Sequence, residues 1–545
     1  MNGAKSIGHK QPRLSRPNRT GLGTLALGGV AIAIAAPMVA TLLGAFAPPG
    51  LGWSFLSGMG LRYFSGTVFL CLLVAAGAGA LGAGAAMVVA LTDFPGRRVM
   101  MVALALPFAI PAYVAAYAYG DFLGPFGPVA DVVGAQNLPE IRSLPGAAFI
   151  LTLMTYPYVY LALSASLAGR SSAYMEAARA LGASPARAAW RVLLTMGRPA
   201  LAGGLALALM ETAADYGVAD FFGVATLSVG IFRTWQGLGD LGGATQLAVG
   251  LFFVALILVL IEEAGRRGEH AESVKAHRRA RQLKLSPFAA ALAILFCLIP
   301  VVFGFIIPAG VLVAKFDPSF TAGAARGLNL SLANTALVAG IGGALTITLA
   351  VFLGYMARRM TSPFGRLALR VATLGYAIPG AVIAIGVLAL TAWLSRVSGL
   401  ALAGGIGVLL YAYMARFVTA GYNAAAGGLQ QISPQMDDAA KMLGAGPASI
   451  LKDIHWPQMR GAVAAGAAII MIDIAKELPA TLLLRPFNFE TLATRIYRLA
   501  SDERLTDAAP AALMLIGLGL IPTIALSFIA TNISARKSIS PSAGG

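Results

Sequence analysis

The stretch "EAARALGASPARAAWRVLLTMGRP" (176–199) is polar and basic, and a related stretch, "DAAKMLGAGPASILKDIHWPQMRG" (438–461), begins 262 residues later. Each starts with an acid and two alanines, and a glycine follows after three further residues. Both interrupt a chain that is otherwise apolar. One pattern at matched positions predicts a chain built from two halves with the same order of parts.

The chain is too apolar for an ordinary soluble protein. Of its 545 residues, 58% are hydrophobic and 12% are charged, and the mean hydropathy is +0.77. Apolar runs of about 18 residues or more recur, and each is long enough to cross a hydrocarbon core of about 30 Å as a helix. The runs lack the alternation of barrel strands. We therefore predict an all-α integral membrane protein with about twelve transmembrane helices, at 22–46, 65–91, 99–120, 145–168, 199–218, 244–263, 289–313, 331–356, 368–393, 402–424, 461–483 and 508–531.

The halves align over most of their length. An offset of 268 matches Thr67 with Thr335, and an offset of 262 matches Glu211 with Asp473. Six spans per half is an even number, so both halves enter the membrane in the same direction and form a parallel repeat. The expected divisions are a basic tail (1–21), a first half (22–263, with a cytoplasmic loop at 170–198), a basic linker (264–288), a second half (289–531, with a loop at 425–460) and a tail (532–545).

The net charge of +17 raises the question of nucleic acid binding, and the placement of the basic residues answers it. Under the positive-inside rule they all fall on the cytoplasmic side of the twelve-span arrangement, with both termini inside. We therefore expect no nucleic acid partner. A cleaved signal peptide is the alternative for the N-terminus, because "AFA" (45–47) resembles a cleavage site, but its apolar run is long for one. The basic residues are Lys5, Lys10, Arg13, Arg16, Arg19, Arg97, Arg98, Arg358, Arg359, Arg366 and those of the linker run 266–284.

Each polar stretch predicts a helix, a tight turn and a second helix. In the first copy, Gly182 ends a helix over 174–181, and Ser184 with Pro185 provides an N-cap and a first-turn proline. Gly444, Gly446 and Pro447 serve the same purpose in the second copy. A single such loop is most simply a connector between spans. Two matched copies instead favour a surface that one kind of partner binds twice.

The motifs of enzymes are missing from the sequence. It has no G-x-x-x-x-G-K-[ST] phosphate loop and no H-E-x-x-H zinc signature among its four histidines. Cys71 and Cys297 both lie in apolar runs, which indicates buried thiols rather than a disulfide or a metal site. We expect no catalytic residue, no metal ligand and no cofactor, so energy for any transport must come from outside this chain's own chemistry.

Charged residues occur inside two predicted spans that correspond in the repeat. Glu211 and Asp215 are four residues apart and share a helix face, and the eleventh span repeats this with Asp473 and Glu477, beside Lys476. Two interpretations remain open. Lys476 neutralises a neighbour while Asp215 and Glu477 lie at helix ends, or the acids line a path for a cationic or polar solute.

The paired loops resemble those of the membrane subunits of type I ABC importers, which carry the pattern Glu-Ala-Ala, three residues, Gly, nine residues, Ile, one residue, Leu-Pro. This chain departs from it at Thr195 and Trp456. The resemblance implies the type I importer permease fold and loops that dock on an ATPase. The corresponding residues are Glu176, Ala177, Ala178 and Gly182 in the first copy, and Asp438 (in place of the glutamate), Ala439, Ala440 and Gly444 in the second.

The segments after the two loops, "METAADYGVADFFGVATLSVGIFRTWQGLGDLGGATQ" (210–246) and "KELPATLLLRPFNFETLATRIYRLASDERLTDAAP" (476–510), resemble the fused ferric iron permeases. This implies Fe(III) import across a bacterial inner membrane, in contact with lipid, by one chain with two copies of a cytoplasmic ABC ATPase and a periplasmic solute-binding protein. The external loops 218–243 and 484–507 would dock that protein. Thiamine, polyamine, sulfate or phosphonate remain alternative solutes, and an ion-coupled secondary transporter is the alternative machine.

Overall fold

The computed structural model describes residues 21–44, 46, 51–167, 178, 180–193, 197–266, 283–317, 322–359, 362–373, 375, 378–401 and 404–536. Nearly all of these residues are helical or lie in short connections between helices. The all-α membrane class predicted from the sequence is therefore confirmed.

Eleven helices precede the linker in the described part of the chain. Short 3-10 turns (Leu106–Ala109 and Ala135–Asn137) and a π-helical turn (Arg233–Gly237) lie between some of them. The helices are α1 (Gly21–Gly44), α2 (Leu51–Leu91), α3 (Arg97–Ala103), α4 (Ala112–Phe122), α5 (Pro128–Val133), α6 (Leu144–Leu167), α7 (Pro185–Val192), α8 (Arg198–Ala214), α9 (Gly217–Phe221), α10 (Leu227–Phe232) and α11 (Leu241–Arg266).

Twelve helices follow the linker in the described part. A π-helical turn (Val302–Ile306) joins the first two, and another (Ile450–His455) precedes α20. The helices are α12 (Pro287–Val301), α13 (Ile307–Ala314), α14 (Ala322–Arg359), α15 (Pro363–Ala372), α16 (Gly380–Ser398), α17 (Ile406–Gln430), α18 (Pro434–Met442), α19 (Pro447–Ser449), α20 (Trp456–Lys476), α21 (Pro479–Leu484), α22 (Leu492–Ser501) and α23 (Leu505–Arg536).

A single short strand pair occurs among the described residues. Strand β1 (Thr92–Asp93), directly after α2, runs parallel to β2 (Leu283–Lys284), where the linker meets the second half. Thr92 pairs with Leu283 and Asp93 with Lys284. The end of the linker is thereby tied to the loop that follows the second span.

Nine described helices are long and apolar enough to cross a membrane, or ten if α3, its 3-10 turn and α4 count as one span bent by 89°. The sequence predicted about twelve spans. The predicted span 199–218 corresponds to α8, which has 17 residues. The predicted span 402–424 corresponds to α17, which has 25 residues but carries Arg416 and three tyrosines. The predicted span 368–393 is divided between α15 and α16.

The first spans of the two halves are exchanged. Helix α1 packs mainly against α15 and α16 of the second half, and the Tyr411 hydroxyl donates to the Ala33 carbonyl. In return, α12 and α13 pack against α2, α3 and α4 of the first half. The hydroxyl of Tyr119 donates to the Phe303 carbonyl at 2.5 Å. The exchange makes one helical bundle out of two repeats.

The repeat is visible in single hydrogen bonds. The Thr67 hydroxyl accepts from the backbone N–H of Leu227 at 2.8 Å, and the Thr335 hydroxyl accepts from that of Leu492, also at 2.8 Å. Leu227 and Leu492 each follow an N-cap threonine. The sequence alignment of the halves matched Thr67 with Thr335, and the structure gives both threonines the same hydrogen bond.

We predict that Thr67→Val and Thr335→Val each lower the free energy of unfolding by about 1–3 kcal/mol, because each leaves a buried backbone N–H without its acceptor. Thermal unfolding of purified protein in detergent would measure the effect. Thr348→Val is the matched control, because the Thr348 hydroxyl is exposed and bonds only to the Ala344 carbonyl of its own helix. Equal midpoints for all three variants would contradict the prediction.

Candidate functional site

Two helices break at corresponding places. Helix α8 ends at Ala214 and α20 ends at Lys476, and the next residues, Asp215 and Glu477, adopt nearly the same backbone conformation (φ −65, ψ 131 and φ −66, ψ 118). After each break a short helix, α9 or α21, begins two residues later. The sequence predicted continuous spans at these positions.

The two acids at the breaks cap the short helices. Asp215 Oδ1 accepts from the backbone N–H groups of Val218 (3.0 Å) and Ala219 (3.2 Å), and Glu477 Oε1 accepts from that of Ala480 (2.9 Å). Backbone N–H groups at a helix start have no partner within the helix, and an acceptor side chain supplies one. Asp215 and Glu477 therefore do lie at helix ends, as one of the two interpretations held, and each has a capping role there.

A cavity of about 320 Å³ lies where the two breaks meet, with residues of both halves in its wall. Its apolar lining includes Phe108, Tyr113, Leu151, Met154, Phe417 and Leu478. All five candidate acids and bases from the sequence line it: Glu211, Asp215, Asp473, Lys476 and Glu477. The structure thus brings together residues that the sequence placed in two separate spans.

Arg416 is a sixth charged residue in the cavity wall, and the sequence analysis did not single it out. It projects from α17 and forms an ion pair with Glu477 Oε2, with the side chains only 13% and 5% exposed. The signal that could have found it was an arginine inside the predicted span 402–424, because a charge at that depth needs a partner. A buried guanidinium next to a buried carboxylate meets that need.

Lys476 contacts the other half of the chain. Its Nζ donates to the Phe108 carbonyl at 3.4 Å and lies 5.9 Å from the centre of the Phe108 ring. The ion pairs found among the described residues do not include one between Lys476 and an acid. The lysine thus attaches α20 to the 3-10 turn that precedes α4.

Glu211 and Asp473 are the repeat-related acids one turn before the breaks. Both are partly buried and line the cavity, and within the described part of the chain neither makes a hydrogen bond or an ion pair. Their carboxylates are the acidic groups of this wall that no cap or ion pair occupies.

Beyond the breaks, a chain of hydrogen bonds joins the two halves. The hydroxyls of Tyr216 and Tyr497 lie 2.7 Å apart, and Tyr497 donates to Asp220 Oδ2 at 2.8 Å. The Tyr216 ring stacks on Phe232 with centres 3.7 Å apart. These contacts connect the segments that follow the two broken helices.

No group of three His, Cys, Asp or Glu side chains that could hold a metal ion is present among the described residues. Both cysteines are free thiols, and Cys297 is buried.

The second polar loop forms a hairpin as predicted. Helix α18 ends before Gly444, which has φ +81, and α19 begins at Pro447 after Gly446. Asp438 pairs with Lys441 at 2.9 Å, and its side chain is 72% exposed. Ala439 and Gly444 are exposed, and Ala440 is partly so. The acidic end of the motif thus faces away from the bundle.

The first hairpin has the same turn. Gly182 has φ +81, and the Ala183 N–H donates to the Ala178 carbonyl as the Ala445 N–H donates to the Ala440 carbonyl. Leu181 and Leu443, which precede the two glycines, are 84% and 88% exposed. Both hairpins thus expose a leucine at the same position, directly before the turn glycine. Glu176 and Ala177 lie outside the described residues.

A second aspartate, beside Asp438 on α18, is held inside the bundle. Asp437 accepts from Arg358 Nε at 2.8 Å and contacts His455 Nε2 at 2.8 Å. Burial alone would raise the pKa of Asp437, but the hydrogen bonds from Arg358 and His455 outweigh burial and hold that pKa below its ordinary value. Asp437 is therefore ionised at neutral pH.

Comparison with known proteins gives one family match in each half. The family described as "Binding-protein-dependent transport system inner membrane component" matches residues 78–262 and 346–539. Each matched segment contains one hairpin and one broken helix. The two matches therefore correspond to the internal repeat.

The chain is also similar to individual permeases. It is 24% identical over 475 residues to the Fe(3+)-transport system permease protein FbpB 2 of Haemophilus influenzae, which covers 85% of this chain and 88% of that protein. It is 31% identical over 229 residues to the sulfate transport system permease protein CysW of Synechocystis, covering 40% and 82% of the two chains. A solved bacterial ABC transporter involved in alginate import matches 47% of this chain and 96% of its own with a TM-score of 0.36 and 16% identity.

We predict that Arg416→Leu destabilises the protein by about 3–5 kcal/mol, because Glu477 is left as an unpaired buried charge. Adding Glu477→Gln should restore much of the loss, since a neutral amide oxygen still accepts from Ala480. Thermal unfolding in detergent would compare the single and the double variant. A double variant that is no more stable than Arg416→Leu would contradict the role given to this ion pair.

Proposed function

Because this chain belongs to the family of binding-protein-dependent transport system inner membrane components, we propose that it carries ferric iron into the cell, driven by ATP that partner subunits hydrolyse. It is an ABC importer permease subunit with both permease domains in one polypeptide.

The two hairpins are the proposed contacts with the ATPases. Each presents an exposed leucine directly before its turn glycine, and the two turn glycines both have φ +81. The second hairpin also presents the exposed Asp438. Apolar side chains surrounded by polar ones are typical of a protein interface. Two similar surfaces fit two copies of one ATPase, so a single permease chain assembles with an ATPase pair.

The ferric iron assignment depends mainly on one observation: Glu211 and Asp473 line the cavity between the halves without a partner among the described residues. Four acidic and two basic side chains line this cavity, so acidic groups outnumber basic groups in its wall. A hard cation prefers oxygen ligands such as carboxylates. The wall is therefore suited to a cation that passes between the halves.

Sulfate is the second candidate, since sulfate permeases are among the similar proteins. An anion would need the basic groups of the cavity. Arg416 is paired with Glu477, and Lys476 contacts the Phe108 carbonyl, while the acids Glu211 and Asp473 are the unoccupied groups. This distribution favours a cation over an anion.

A pathway for iron should bind the ion weakly enough to release it. Two carboxylates from opposite halves fit this need better than a complete set of metal ligands. No group of three such ligands forms among the described residues. Iron would therefore make brief contacts with Glu211 and Asp473 on its way through.

The delivering partner would be a periplasmic solute-binding protein that docks on the loops after the broken helices. In the second half, Glu490 pairs with Arg498 at 2.6 Å and lies 3.9 Å from both Arg485 and Arg495. The hydrogen bond with Glu490 raises the pKa of Arg498 above its ordinary value. This loop presents Phe487 fully exposed to solvent.

We propose that both chain termini and both hairpins lie in the cytoplasm, on the side of the membrane opposite these docking loops.

We predict that Leu181→Glu and Leu443→Glu each reduce the amount of ATPase that copurifies with tagged permease from native membranes, because each puts a charge into an apolar contact. Leu400→Glu is the matched control, since Leu400 is similarly exposed but lies outside both hairpins. Mass spectrometry of the copurified proteins would also identify the ATPase and the binding protein. Unchanged ATPase recovery in both hairpin variants would contradict the coupling surface.

We predict that Glu211→Gln with Asp473→Asn lowers the uptake of radioactive iron by the assembled importer in proteoliposomes about tenfold, equivalent to about 1.4 kcal/mol of lost interaction. Asp131→Asn, an exposed acid on α5, is the control and should transport normally. Uptake of labelled sulfate but not iron by the wild-type importer would refute the solute assignment. Uptake by the permease alone under an ion gradient would support a secondary transporter instead.

A further inference from the structure

Two adjacent aspartates on the second hairpin face opposite ways. Asp438 belongs to the motif that both halves share, and it is exposed. Asp437 has no acidic counterpart in the first half, where Met175 occupies the matching position, and its side chain is only 15% exposed. Burying the charge of Asp437 costs free energy unless other groups compensate that charge.

Asp437 lies at the centre of a buried ion-pair group. One carboxylate oxygen accepts from Arg358, on the last turn of α14, and the other contacts His455. His455 is 2% exposed and immediately precedes α20. The edge of the Tyr355 ring approaches its imidazole, with the ring centres 6.1 Å apart. The hairpin is thereby fixed to the starts and ends of neighbouring spans.

Arg358 extends the group to a further span. Its two remaining nitrogens donate to the carbonyls of Leu429 (2.7 Å) and Ile432 (2.9 Å), at the C-terminal end of α17. A cation is favourable at a helix C-terminus, where the last carbonyl groups carry partial negative charge. The group therefore joins the ends of α14 and α17, the hairpin helix α18 and the start of α20 at one point. We call Arg358, Asp437 and His455 the hairpin joint.

The first half has no counterpart in sequence of Arg358, Asp437 or His455. Ala90, Met175 and Leu193 occupy the positions that the repeat offsets match to Arg358, Asp437 and His455. Leu193 is a buried apolar residue. The two hairpins thus share the outward motif but differ in how they can be attached to the bundle.

We propose that Asp437 is a positioning residue that makes the second hairpin move as one unit with α14, α17 and α20, so that this half carries the tighter link between ATPase and pathway. The inference rests on the proposed function. Helix α20 spans about 32 Å at 1.5 Å per residue and carries Asp473 on its last turn, with Glu477 directly beyond its end. Movement of the hairpin would thus reach the cavity through one helix.

The physical reason is the cost of separating the joint. Removing one member of a buried ion pair leaves an uncompensated charge, which is strongly destabilising. A displacement of α18 away from α20 or α14 would likewise separate Asp437 from His455 or from Arg358 and leave a charge uncompensated. Movement of all four elements together preserves every contact, so the joint favours rigid motion over local bending.

The experiment compares Asp437→Asn with Asp438→Asn in the complete importer in proteoliposomes, with Asp131→Asn as control. Two quantities are measured: the ATPase retained on the permease, and the stimulation of ATP hydrolysis by the binding protein. For Asp437→Asn we expect normal ATPase retention but a stimulation lower by about fivefold or more. For Asp438→Asn we expect reduced retention and normal stimulation per bound ATPase.

A second readout follows the joint directly. Spin labels at Met436→Cys on α18 and Met471→Cys on α20, with both native cysteines replaced by alanine, report the distance between hairpin and helix. In the parent protein this distance should be the same with and without ATP. With Asp437→Asn it should change on ATP binding or broaden, because the two elements no longer move together.

The outcomes separate the two proposals. Failure of the wild-type chain to bind any ATPase would overturn the proposed function. Normal stimulation and an unchanged label distance in Asp437→Asn would overturn the joint while the proposed function stands. If Asp437→Asn does not fold, His455→Leu against His455→Gln gives the same test, since glutamine can still donate to Asp437. Equal behaviour of these two variants would also overturn the joint.

Discussion

The structure depends on the way two membrane helices are interrupted. After Ala214 and after Lys476 the backbone leaves the helix in a low-dielectric interior, where unpaired N–H groups are costly. Asp215 and Glu477 supply acceptors at these points, and Arg416 compensates the charge of Glu477. Charges that would be unfavourable in a continuous span become part of the backbone structure, and the gap between the broken helices forms the cavity.

The charged groups in the cavity wall divide into two kinds. Asp215, Glu477 and Arg416 maintain the fold through caps and an ion pair, and Lys476 attaches α20 to the 3-10 turn at Phe108. Glu211 and Asp473 have no such task among the described residues. A solute-binding role for these two acids therefore does not conflict with stability, whereas substitutions at the other four change the fold and the pathway together.

Twofold repetition and asymmetry occur in the same chain. The exchanged first spans, the threonine hydrogen bonds at Leu227 and Leu492 and the matched glycine turns repeat in both halves. Arg358, Asp437 and His455 occur in the second half alone. A gene that encodes both halves in one chain can change one copy without changing the other, and a permease that assembles from two identical chains cannot.

The sequence by itself determined the membrane class, the internal repeat, the hairpin turns and the identity of five cavity residues, because hydropathy, glycine placement and offset matches are properties of short stretches. It did not reveal the helix breaks, since apolar composition continues through Leu478 and Val218. The tertiary structure alone decided which charge serves which purpose. Arg416 and Glu477 are 61 residues apart, and Asp437 and Asp438 are neighbours with the same chemistry. Such a side chain can cap a helix, form an ion pair or remain without either role. Which of these it does depends on the atoms that packing brings next to it from distant parts of the chain.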